Sequence, residues 1–248
     1  MKDGKSIFSG WHDGKIRAFL PQSGKLLYTI NDAHTNGVTA VTATKCSTKL
    51  ISGGMNGEIR IWKIGKQSQT IEASLKEHRS RVWSIQVNSL NDRAISASAD
   101  GSCIIWDIKN YTRIACMFES TMFKQLVFYP DDSQIITCGS DKKITYWDTI
   151  DAEEIRMMDG SLEGEINSLS ITNSGETFVS AGEDRQIKIW DYEKGKMLYS
   201  GIGHSTTINK VMISPNQEFI VSVGTDGSIF FWDMPTELRC AKKDLNKP

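Results

Sequence analysis

The chain is written in short apolar runs separated by turn-forming clusters. The stretch QIITCGSDKKITYWD, residues 134–148, is representative: two β-rich runs flank a turn centred on Asp141, which predicts a pair of strands joined by a tight connection. A further run precedes each such pair (VTAVTAT, VWSIQV, KQLVFYP, INSLSIT, INKVMIS), and another follows (KLLYTI, QTIEASL, RIACMF, EEIRMM, KMLYS, ELRCAK). Each unit is therefore expected to hold four strands, with ELRCAK, Glu237 to Lys242, as the outermost strand of the last. No helix of any length is predicted.

These units are copies of one another. Six segments align on the aromatic anchors Phe19, Trp62, Trp106, Trp147, Trp190 and Trp232, spaced by 43, 44, 41, 43 and 42 residues. Six positions before each anchor stands Asp13, Asn56, Asp100, Asp141, Asp184 or Asp226, and four before that a hydroxyl: Ser9, Ser52, Ser96, Thr137, Ser180 or Ser222. A four-strand unit repeated at this period is the signature of a propeller blade.

The repeat resembles the WD-repeat β-propeller family, with Trp-Asp dipeptides at residues 106–107, 147–148, 190–191 and 232–233; the first two anchors read Phe19-Leu20 and Trp62-Lys63 instead. The resemblance implies an all-β propeller of about six blades forming one domain over residues 1–248. The family's histidine, 22 residues before the turn Asp, falls on His34, His78 and His204, while Glu119 and Leu162 take its place in the fourth and fifth repeats. A buried Trp needs an acceptor for its indole N–H, and a Ser hydroxyl can accept from Trp while donating to His, whose other nitrogen the turn Asp can hold. The expected networks are His78, Ser96, Asp100, Trp106; His204, Ser222, Asp226, Trp232; and, with Asn for Asp, His34, Ser52, Asn56, Trp62. Because this constellation recurs, it reads as structural and not as a hydrolase triad, which an enzyme makes once.

The opening KDGKSIFSG begins in mid-pattern: its turn leads into a second strand, so the first blade is expected to lack its innermost one. The expectation that follows is that the chain is the carboxy-terminal part of a longer tandem-propeller protein. The segments DGKIRAF, ISGGMNGEIRIWKIG, SLKEH, IITCGSDKKITYWD, EGEINSLSIT and IVSVGTDG are similar to the carboxy-terminal propeller of cilia- and flagella-associated members of the family. That resemblance implies a non-enzymatic scaffold of the motile axoneme, bound inside doublet microtubules, with tubulin and other axonemal proteins as partners. A cytoplasmic WD-repeat adaptor in signalling, trafficking or ubiquitin-ligase assembly is the alternative, although Lys109, Ile150, Glu193 and Pro235 stand where ligase receptors of the family carry Arg.

Composition narrows the partners. With 24% charged residues and a net charge of −1, no overall field attracts nucleic acid or an anionic membrane. No run approaches the ~20 apolar residues that span a bilayer. The five cysteines show no CxxC spacing, so neither a disulfide framework nor a zinc site is expected, and no cofactor or small-molecule substrate. Partner-contact candidates are Trp11 and His12 in a turn of the first repeat, Arg79 and Arg81 in the loop entering an innermost strand, and Met55 and Met122 in equivalent loops, since aromatic and Arg side chains anchor interfaces.

Overall fold

A computed structural model describes residues 4–65 and 68–239 of the chain. Six antiparallel sheets follow one another in sequence order. The first holds β1 (Ile7–Gly10), β2 (Ile16–Phe19) and β3 (Leu26–Ile30). The second holds β4 (Val38–Ala43), β5 (Lys49–Gly54), β6 (Ile59–Ile64) and β7 (Gln69–Leu75), and the third β8 (Val82–Val87), β9 (Arg93–Ser98), β10 (Ser102–Asp107) and β11 (Thr112–Phe118). The fourth comprises β12 (Phe123–Phe128), β13 (Gln134–Gly139), β14 (Lys143–Asp148) and β15 (Glu154–Asp159). The fifth comprises β16 (Ile166–Ile171), β17 (Thr177–Gly182), β18 (Gln186–Asp191) and β19 (Met197–Ile202), and the sixth β20 (Ile208–Ile213), β21 (Phe219–Gly224) and β22 (Ile229–Asp233). Each sheet is a meander with only neighbouring strands paired, so this is the expected six-bladed propeller, with three strands in the first sheet among the described residues.

One expectation fails at the last blade. Thr236–Leu238 forms a single 3-10 turn capped by Arg239 where the outer strand Glu237 to Lys242 was predicted to begin, and residues 240–242 lie outside the described residues. Pro235 precedes the turn and has no N–H to donate to a ladder, which favours leaving the sheet there.

The second and third strands of the middle blades are apolar on both faces because both faces are covered. β17 is buried at every position, and β10 at all but its last. Five apolar clusters fill the structure, each between consecutive blades; Ile51, Ile59 and Ile61 of the second blade, for example, pack on Val82, Ile85, Ile104 and Trp106 of the third. The innermost strands are also tied side by side: Thr39 Oγ1 donates to the Val82 carbonyl at 2.6 Å, Gln125 Nε2 to Leu169 at 2.8 Å and Asn167 Nδ2 to Ile208 at 3.1 Å. Lys210 Nζ reaches Gln125 Oε1 across two blades at 2.6 Å, which places these strands around a common axis. Among the described residues no comparably extensive contact joins the first blade to the sixth, and the β22 side chains Ile229 and Phe231 are 60% and 71% exposed.

Alternation of strand direction puts the β1–β2, β3–β4, β5–β6 and β7–β8 connections, and their counterparts in later blades, on one face, which we call the loop face. On the opposite face the turns after the innermost strands are bonded to each other: Ser89 N–H donates to Asp132 Oδ2 at 2.8 Å and Asn173 N–H to Gln217 Oε1 at 2.9 Å.

On the loop face the residue after each turn Asp or Asn has positive φ: Gly14, Gly57, Gly101, Lys142, Arg185 and Gly227. A Cβ on Gly101 would lie 2.5 Å from the Glu119 carbonyl oxygen, whereas Lys142 and Arg185 already carry side chains at φ 66° and 62°. Gly101→Ala should therefore lower stability by more than 1 kcal/mol. Lys142→Gly, by relieving left-handed strain, should change it by about 1 kcal/mol or less in the stabilising direction. Urea denaturation of the two variants checks the opposite signs.

Candidate interaction face and its polar networks

The third repeat contains the fullest network. Trp106 Nε1 donates to Ser96 Oγ at 2.8 Å, and Ser96 Oγ lies 2.7 Å from His78 Nε2. The Asp100 carboxylate beside Nδ1 can only accept, which favours the ring proton on Nδ1 and leaves Nε2 to accept from the Ser96 hydroxyl. His78 Nδ1 faces Asp100 Oδ2 at 3.2 Å and Ser102 Oγ at 2.8 Å, and Ser102 Oγ donates to Asp100 Oδ1 at 2.6 Å. The Arg79 amide donates to the same carboxylate at 2.6 Å, so the network also fixes the loop entering β8. Burial opposes ionisation of Asp100, but bonds from Ser102 and the Arg79 amide and the proximity of His78 outweigh it and hold the carboxyl below its ordinary range.

The other two networks differ from the expectation at the turn residue. His204 Nε2 meets Ser222 Oγ at 2.7 Å and Trp232 Nε1 donates to Ser222 at 2.8 Å, but Nδ1 contacts Ser228 Oγ at 3.1 Å, and Ser228 in turn donates to Asp226 at 2.6 Å. Asp226 thus reaches the ring through a hydroxyl. In the second repeat His34 Nε2 and Trp62 Nε1 both lie 2.9 Å from Ser52 Oγ, yet His34 Nδ1 has no partner. The Asn56 side-chain oxygen accepts the Glu58 amide at 3.3 Å instead. The residue two after the turn position explains both departures: Ser102 and Ser228 bridge, whereas Glu58 is committed to Ser74 at 2.5 Å and Arg60 at 3.1 Å. The triplet Asp-Gly-Ser was the readable signal for these bridging serines, which the anchor spacing alone misses.

Repeats without the histidine solve the same problem differently. Thr137 Oγ1 accepts the Trp147 indole and Ser180 Oγ the Trp190 indole, each at 2.8 Å. In the fifth repeat Leu162 is turned out, 90% exposed, and Lys188 Nζ bonds Asp184 Oδ2 at 2.6 Å and the Gly160 carbonyl at 3.0 Å. The first repeat is a separate case: Phe19 has no N–H, and Ser9 Oγ accepts the indole of Trp11 at 2.7 Å.

The partner-contact candidates all lie on the loop face, in the connections between second and third strands or before innermost strands. Trp11 is 47% exposed, with the Arg17 guanidinium 4.6 Å from its ring centroid and Arg17 bridged to Asp13 at 2.6 Å. His12 beside it is exposed, as are Arg79 and Met122, whereas Met55 is half-buried. Arg81 is also half-buried: its guanidinium lies 3.7 Å over Trp83, whose other neighbour is Lys124 Nζ at 4.5 Å, and burial lowers its pKa. Phe123, next to Met122, is buried against Trp147 and offers no contact area. Among the described residues no group of three or more His, Cys, Asp or Glu side chains is arranged to hold a metal.

The sheets, the Trp anchors and the loop geometry define a WD-repeat propeller, and the family profile described as "WD domain, G-beta repeat" matches residues 24–63, 69–107, 120–148, 152–191 and 195–233. The chain belongs to the WD-repeat family. Over 215 residues it is 48% identical to cilia- and flagella-associated protein 52 of Sus scrofa and, equally, to that of Chlamydomonas reinhardtii; each alignment covers 87% of this chain and 35% of the relative. It is 25% identical over 214 residues to pre-mRNA-processing factor 19 homolog 2 of Arabidopsis thaliana, covering 85% of this chain and 40% of that protein. The chain thus spans about a third of the length of the ciliary relatives it matches.

Two outcomes follow from this geometry. Trp106→Ala should cost roughly 3–5 kcal/mol, since a fully buried indole is deleted and Ser96 loses its donor, against about 1 kcal/mol for Trp11→Ala, which loses an exposed hydrogen bond and a cation–π contact. Calorimetric melting of both variants tests the contrast.

The second outcome concerns acid. Burial, reinforced by the Arg60 charge, pushes His34 down to about 4, and burial lowers His78 as well. A ring held neutral in the fold takes up protons more readily unfolded, near its ordinary pKa of ~6.5. Its stabilising contribution is therefore present above pH ~6.5 and lost as the pH falls from there towards 4. His34→Gln should flatten the decline in stability across that window in a pH series of denaturant melts.

Proposed function

We propose that this chain is one propeller of a tandem WD-repeat protein of the motile cilium or flagellum, a non-enzymatic scaffold that binds axonemal proteins and, among them, tubulin inside doublet microtubules. The observation that carries the reading is the 48% identity to ciliary proteins from organisms as distant as a pig and a green alga, sustained over 87% of the chain. It is nearly twice the 25% identity to the Arabidopsis relative over a similar length.

The geometry supports a scaffold. A propeller whose Trp anchors are bonded internally presents separate loops, each with its own chemistry: an indole stacked under a guanidinium at Trp11, an exposed Arg79, an apolar tip at Met122. Several modest contacts made together add through effective concentration. With a net charge of −1, capture of acidic tubulin tails by a general field is disfavoured, and the contacts are local ones made by single loops.

Fractionation of cilia tests the reading. After detergent removes the membrane, the protein should stay with the axonemal doublets through washes of rising salt, released only when the doublets themselves are dissolved. Its absence from cilia, or release with the detergent-soluble matrix, would overturn the assignment.

A further inference from the structure

Several charges of the loop face that are withdrawn from water have a partner of opposite sign: Glu58 has Arg60, Lys188 has Asp184 and Lys124 has Glu165. Arg81 does not. It is half-buried, its Nε is buried without an acceptor, and among the described residues its terminal nitrogens donate to no carboxylate or carbonyl. Burial lowers its pKa, with no opposing charge to restore it. A charge withdrawn from water in this way lowers stability unless something supplies the opposite sign. Its surroundings sharpen the imbalance. The Arg81 guanidinium carbon lies 3.7 Å from the centroid of the Trp83 ring, and Lys124 Nζ, from the next blade, lies 4.5 Å from the same ring. Two cations thus converge on one indole, and the carboxylate bonded there, Glu165, is taken by Lys124 at 2.8 Å. Trp83 and Lys124 are the second residues of β8 and β12, at the ends of these innermost strands that open on the loop face, and all three side chains are partly exposed there.

We propose that Arg81, with Lys124 beside it, is the docking point for an aspartate or glutamate side chain of a partner protein. The fork of a guanidinium matches the two oxygens of a carboxylate, and the Trp83 ring already holds that fork in place, so little ordering remains to be done on binding. A carboxylate there supplies the counter-charge that the chain itself withholds from Arg81. The occupant is a polypeptide and not a free small anion because the neighbouring loops offer further contacts on either side: Arg79, exposed two positions before Arg81, and Met122, 41% exposed two positions before Lys124. A lone anion would use the fork and nothing else, whereas an acidic residue beside an apolar one uses the fork and the Met122 tip together. The inference rests on the scaffold reading for the occupant's being a protein but not on the ciliary assignment, so fractionation of cilia and the titration of this site can fail separately.

Titration of the full chain, followed by the indole N–H signal of Trp83 in two-dimensional NMR, tests it with three probes: the peptide acetyl-Gly-Glu-Leu-Gly-amide, its glutamine counterpart acetyl-Gly-Gln-Leu-Gly-amide, and sodium acetate. The glutamate peptide should shift the signal saturably, and the glutamine peptide should bind roughly tenfold more weakly or worse, the loss of a charge-assisted hydrogen bond. Acetate, which has the carboxylate without the flanking chain, should also bind more weakly than the glutamate peptide. Arg81→Met keeps an unbranched side chain over Trp83 but removes the charge, and should lose the response to the glutamate peptide. Glu165→Gln removes the carboxylate that competes for Lys124 and should tighten that peptide about threefold. An unmoved indole signal, equal response to the glutamine peptide, acetate binding as tightly as the glutamate peptide, retained binding in Arg81→Met or weakened binding in Glu165→Gln overturns the proposal.

Discussion

A sheet that is apolar on both faces cannot stand alone, and everything else in this protein follows from that constraint. β10 and β17 have hardly a polar face to show to water, so the third and fifth blades are stable only between two others. The five apolar clusters are these shared surfaces, and the bonds between innermost strands and between opposite-face turns hold neighbouring blades in register. Tight packing brings a cost: the Trp indole that fills each junction carries a proton that must be given to something. The strand-two hydroxyl takes it in the second to sixth repeats, and the histidine networks are extensions of that single obligation.

The fold was legible because this obligation recurs at a fixed spacing. An aromatic anchor, Trp in five repeats and Phe in the first, a hydroxyl ten residues before it and an Asp or Asn between them locate the second strand, the turn and the third strand together, and six copies leave little room for another topology. What the spacing could not show is which atoms meet at the turn. Asn56 turns to its own backbone and Asp226 acts through Ser228, since a turn carboxylate or amide has several partners within reach and the residue two positions later decides among them. Trp11 was legible as exposed but not as the donor to Ser9, because its role depends on Phe19 lacking an N–H across the strand pair. The outer strand foreseen at the end of the chain failed where Pro235 intervenes, a local chemical signal that the repeat register had overridden.

The candidate contact residues were less legible than the networks, for a physical reason. A buried polar atom must be satisfied, so its partners are constrained; an exposed loop side chain is under no such constraint in the free protein. Arg81 shows the difference, since a residue read as a partner-contact candidate is stacked on Trp83 and desolvated, while the Arg79 side chain two positions earlier is exposed and its backbone amide is held by Asp100.

Apolar clusters confined to consecutive blades also shape how this protein can change. A substitution in the second blade and one in the fifth share no neighbour, and effects at sites that far apart add with little coupling. Each loop can therefore be rewritten without renegotiating the others, as the fourth and fifth repeats, which dispense with the histidine in two separate ways, already illustrate. A propeller assembled in this manner is a row of independent experiments on one frame, in which recognition can be revised one blade at a time.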